Sequence, residues 1–127
     1  MSIEVELPDL ADVLARYRSA YLVTVGGGVR GHVVAVGPTL SEGAIVLGEV
    51  GSTSRANLLV EPSLTLVWPP VREDDHTLIV DGTGRIEADT VVVLPTRAVL
   101  HRPAREAGAG NSACASDCIE VTLPTSP

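Results

Sequence analysis

The stretch Ala44–Trp68, AIVLGEVGSTSRANLLVEPSLTLVW, decides how this chain is read. It opens with a buried strand at Ala44–Gly48 and passes through a small polar turn. A short helix over Thr53–Val60 follows, and a second strand at Ser63–Trp68 closes it. Pro62 cannot continue a helix, because its ring removes a donor and clashes with the preceding turn. Beyond it, Leu64, Leu66 and Trp68 alternate with Ser63, Thr65 and Val67, as in a strand with one buried face. The turn holds Gly51, Ser52, Thr53 and Ser54, with Arg55 and Asn57 just inside the helix. Free N–H groups at a helix start favour anions, so this composition suits a phosphate. The same hydroxyls also serve as ordinary N-caps.

Outward from this stretch the chain is sheet-rich. Tyr21–Val25 and Val29–Val36 flank Gly26-Gly27-Gly28 and read as a hairpin. Thr77–Glu87 reads as a long strand, with Gly82 and Gly84 allowing a bend. Thr90–Leu94 follows, and Pro95 is expected to interrupt it before Arg97–Arg102. Near the N-terminus, Leu10, Val13, Leu14 and Tyr17 form a helical stripe within Asp9–Arg18. Together these predict a mainly β fold: a six-stranded antiparallel barrel with two short α-helices. One domain over residues 1–103 is expected, followed by a flexible tail over 104–127, where small and polar residues dominate. Cys118–Leu123 is a candidate edge strand within that tail.

Composition removes several function classes. The 127 residues carry a net charge of −7, so phosphate neutralisation, the main source of nucleic-acid affinity, is disfavoured. There is no Lys. That excludes a pyridoxal Schiff base, which needs a lysine amine, and a Walker loop, which needs one to reach phosphates. Gly26, Gly28 and Gly31 satisfy G-x-G-x-x-G by spacing, but strand residues follow where a dinucleotide site requires a helix. No apolar run approaches the ~20 residues of a membrane span, and the N-terminus lacks a secretory pattern. The protein is expected to be soluble and cytoplasmic. No nucleophile–base arrangement is visible, so no catalytic residue is assigned. Asp74, Asp75 and His76 read as a hydrated loop rather than a metal site. Cys114 and Cys118 are read as reduced thiols, because two thiols do not complete a zinc site and cytoplasm disfavours disulfides.

The order strand, S-x-S-R-x-N helix, then E-P-S-L-T-L-V-W resembles the flavin-binding split-barrel family related to pyridoxamine 5'-phosphate oxidase. The resemblance runs from about Leu10 to His101 and implies a homodimer with FMN in a groove between subunits, where the flavin does the redox chemistry. It implies that Ser52, Thr53, Ser54 and Arg55 meet the phosphate and that Asn57 belongs to the same motif. It further implies that His32, Val33 and Val34 edge the flavin ring, with Trp68 near the groove. Thr53 and Ser54 stand where many flavin-binding members carry Arg or Lys. Two alternatives therefore stand beside an FMN oxidoreductase: a reductase using the deazaflavin coenzyme F420, and a dimer without cofactor in a binding or structural role. From the residues alone, His32 also reads as a solvated edge histidine, Trp68 as core or interface packing, and Arg55 as a weak surface partner of Glu49.

Overall fold

Blocks of Val, Leu and Ile alternating with Thr, Ser and Gly give this chain its sheet, because each strand buries one face and wets the other. The computed structural model describes residues 2–103. Its strands are β1 (Ser2–Val5), β2 (Ala20–Thr24), β3 (His32–Val36), β4 (Pro38–Ser41), β5 (Ala44–Leu47), β6 (Ser63–Trp68), β7 (Thr77–Glu87) and β8 (Thr90–His101). A 3-10 turn at Leu7–Asp9 leads into helix α1 (Leu10–Leu14), and α2 (Ser52–Val60) lies between β5 and β6. The expectations for the tail at 104–127, its thiols and Cys118–Leu123 fall outside the described residues.

Every pairing is antiparallel, in the order β3-β2-β6-β7-β8-β5-β4, with β1 added to the far half of β8. The two ends of this path, β3 and β4, are consecutive in the chain and separated only by Gly37. A seven-strand path whose ends lie one residue apart must curl on itself, yet no described pairing joins those ends. The result is a split barrel. The predicted split-barrel architecture holds, with eight strands instead of six.

The core is aliphatic: Leu22, Ile45, Leu47, Leu66, Leu78, Val80, Val91 and Val93 are all fully buried. Pro95 does not break β8. Asp81 pairs with Arg97 and Gly82 with Pro95, so Thr96 is the extra residue of a bulge, where a missing proline N–H is tolerated. The bulge also changes phase: Val91 and Val93 face the core before it, and Ala98 after it. The helix expected over Asp9–Arg18 is shorter. Arg16 and Tyr17 donate to carbonyls three residues back, at Val13 and Leu14, so the stripe reaches Tyr17 through tight turns. The hairpin strand expected from Val29 starts at His32, and Val29 is wholly exposed at the tip.

Candidate functional site

The start of α2 is built from the turn after β5. Val50 is buried and donates its N–H to Asp89 O at 3.0 Å, which ties the turn to the β7–β8 connection. Gly51 is the N-cap, with φ −63 and ψ 164 and no side-chain cap. A Cβ built on Gly51 meets nothing within 4 Å. The capping role open to Ser52, Thr53 and Ser54 is therefore not taken. The N–H groups of a first helical turn have no intrahelical acceptor, and the space beside Gly51 is open. Ser52 and Thr53 are exposed beside that opening.

Arg55 supplies the local cation. Its Nη1 donates to Val50 O at 2.7 Å, folding the guanidinium back to the helix start. The ion pairs among the described residues are Arg72–Asp74, Arg85–Glu87 and Arg97–Asp81, so Arg55 is not held by Glu49. Ser54 is 1% exposed, so its hydroxyl is withdrawn from the open side of the helix start. Asn57 follows one turn later, and its Nδ2 donates to Thr24 Oγ1 at 3.0 Å. At the other end of α2, Glu61 accepts from Ser63 N–H at 3.0 Å, which holds its carboxyl below the usual range.

His32 and Val34 point toward the barrel and are half-buried, while Val33 is 56% exposed on the outer face. β3 ends the sheet path, so among the described residues one of its edges has no partner strand. His32 pairs in register with Thr24, and Thr24 is the residue held by Asn57. The structure thus brings the β3 start and α2 to one region through Thr24. Trp68 is not brought there: it is 3% exposed and belongs to the aliphatic core, paired with Leu78. Thr24 itself was not predicted as a site residue. A hydroxyl following Ala20 and Leu22 on an inward apolar face was the available signal.

A separate cleft of ≈ 330 Å³ opens where β8 has β5 on one side and β1 further along, and its lining includes Leu7, Leu10, Leu40 and Pro95. None of the predicted site residues lines it. No helix among the described residues is long and apolar enough to cross a membrane.

No family model matches the chain. The uncharacterized protein Mb0449c of Mycobacterium bovis is 36% identical over 138 residues, covering 95% of this chain and 97% of that protein. The uncharacterized protein MT0457 of Mycobacterium tuberculosis matches to the same extent. The chain belongs to this family of mycobacterial proteins. The fold of this chain is the split barrel of pyridoxamine 5'-phosphate oxidase-like proteins, as three solved structures show. A putative pyridoxamine 5'-phosphate oxidase from Listeria innocua matches with a TM-score of 0.61 at 10% identity, over 74% of this chain and 96% of its own. An F420 reductase matches with a TM-score of 0.58 at 15% identity, over 68% and 93%. The FAD binding protein from Mycobacterium smegmatis matches with a TM-score of 0.56 at 17% identity, over 80% and 100%.

Proposed function

We propose that this protein is a homodimeric flavoprotein that holds FMN between the start of α2 and the free edge of β3, and acts as an oxidoreductase. The observation that carries the reading is the open start of α2. An N-cap without a side chain, two exposed hydroxyls and a guanidinium folded back to the same turn match what a phosphate dianion requires. In this role Ser52 and Thr53 donate through hydroxyl and backbone groups, and Arg55 adds charge. The unpaired backbone of β3 offers donors and acceptors to the polar rim of the ring. The flavin, when bound, supplies the electron-accepting chemistry, while protein groups hold and polarise it.

Dimer formation is supported by the outer sheet face, where Tyr21 and Val33 are 44% and 56% exposed on neighbouring strands. Apolar surface of this kind on an edge is what a second subunit covers. The fold neighbours named as FAD binding and pyridoxamine 5'-phosphate oxidase proteins support a flavin-type cofactor. Coenzyme F420 is the second reading. Arg55 is the one cation within residues 44–68, a sparse charge for FMN, and an F420 reductase shares the fold.

The test is thermal stabilisation of purified protein by each cofactor. Ligand at a hundredfold excess over Kd adds about 2.7 kcal/mol to stability. A rise with FMN supports the first reading, and a rise with F420 alone moves the assignment to the deazaflavin. A dimer that neither molecule stabilises supports the remaining reading, a barrel without cofactor in a binding or structural role.

A further inference from the structure

We infer that the Thr24–Asn57 hydrogen bond is a spacer that fixes the phosphate end of the site relative to its ring end, with Asn57 a positioning residue that does not touch the cofactor. This rests on the flavin reading above. Asn57 lies five residues into α2, about 7.5 Å along the axis from Ser52 at the usual helical rise. Its Nδ2 reaches Thr24 Oγ1 at 3.0 Å, and Thr24 is 1% exposed. Thr24 in turn stands opposite His32, the first residue of β3, at the ~5 Å of an antiparallel pair. One polar bond therefore links the helix carrying the anion site to the strand edge carrying the ring site.

The surroundings show that this joint is tight. Gly26, just beyond Thr24, has φ +59, and a Cβ there would overlap Asn57 Oδ1. The hairpin backbone thus rests on the Asn57 amide. Ser54, one turn earlier on the same helix face, is also buried, and Leu58 completes that face. Among the described residues the buried polar ones are Thr24 and Ser54, and Thr24 is the one held by Asn57. Polar groups inside an apolar core add little net stability compared with well-packed aliphatics. What a hydrogen bond adds over Val or Leu is direction, which fixes how far the helix slides along the strand.

A spacer acts only on a ligand that spans both ends. FMN does so, whereas riboflavin lacks the phosphate. Thr24→Val keeps the shape and removes the acceptor; Thr24→Ser keeps the hydroxyl. The experiment measures Kd for FMN and for riboflavin by flavin fluorescence on wild-type protein and both variants, with the melting temperature of the flavin-free protein recorded alongside. Thr24→Val is expected to weaken FMN about tenfold, the scale of one lost hydrogen bond. Its riboflavin affinity should stay within about twofold of wild type, and Thr24→Ser should restore FMN binding. Asn57→Ala breaks the same bond from the other side and replaces Thr24→Val if that variant does not fold. Equal losses for FMN and riboflavin would show a merely structural role, and an unchanged FMN preference would show no role; either overturns the inference. Wild-type protein that binds neither flavin would instead refute the flavin reading itself.

Discussion

Gly82→Ala is the sharpest test of the bulge that lets β8 run past Pro95. Gly82 is buried, and a Cβ there would sit 2.7 Å from Leu94 O, 2.9 Å from Val93 Cγ1 and 3.2 Å from Leu94 C. Neither neighbour can yield cheaply. Leu94 O is backbone within β8, and Val93 is fully buried and β-branched, so its χ1 is stiff. Overpacking of this kind costs about 1–3 kcal/mol, against a gain of about 0.4–1 kcal/mol from a less flexible unfolded chain. Gly48→Ala is the control, because its Cβ meets nothing within 4 Å and its φ is not left-handed. It should keep the entropic gain alone. Urea denaturation of both variants isolates the clash: Gly82→Ala should fall below Gly48→Ala by about 1–3 kcal/mol at unchanged m-value. In heat each kcal/mol corresponds to a shift of about 4–8 °C for a domain of this size. A Gly82→Ala protein as stable as Gly48→Ala would refute the bulge geometry.

Two further substitutions test single interactions. Tyr17→Phe removes the hydrogen bond from its hydroxyl to His76 O at 2.8 Å and should cost about 0.5–1.5 kcal/mol in urea. Burial raises the Tyr17 phenol above its ordinary value, an effect that nearby Arg16 opposes and Asp75 reinforces. Its contribution is therefore complete below the unfolded value near 10 and declines as pH rises through the folded one. A stability–pH curve unchanged by Tyr17→Phe on the alkaline side would contradict this. The Glu61 carboxyl is lowered by the Ser63 N–H, so the opposite sign applies: its contribution is present above the ordinary carboxylate range and lost as pH falls through the depressed value. Glu61→Gln should flatten the acid limb of the same curve, and an unaltered limb would show that the Ser63 contact does not persist in solution.

Much of the fold was legible because period-two alternation survives in β6, where Leu64, Leu66 and Trp68 are buried as read. β1 was not legible: of Ser2–Val5 only Val5 is buried, and the strand exists through pairing with Ala98–His101. β4 begins at Pro38, which reads as a turn and is tolerated because β4 ends the sheet path. The Thr96 bulge hid the continuity of β8 by shifting its core-facing positions from Val91 and Val93 to Ala98 and Leu100. At the site, Ser52, Thr53 and Arg55 could be placed from the helix start alone. The inward turn of Asn57 could not, because it depends on Thr24 and on the backbone at Gly26, which only the tertiary arrangement brings to α2.

The open start of α2 as a phosphate site is tested most directly by comparing FMN with riboflavin on wild-type protein and on Arg55→Ala, with affinities from fluorescence quenching. A charge-assisted hydrogen bond to phosphate is worth about 1.5–3 kcal/mol, so FMN should bind wild type about 10–100-fold more tightly than riboflavin. Arg55→Ala should erase most of that difference and leave riboflavin binding unchanged. Equal affinity of the wild-type protein for the two flavins, or a preference that survives Arg55→Ala in full, would contradict the assignment.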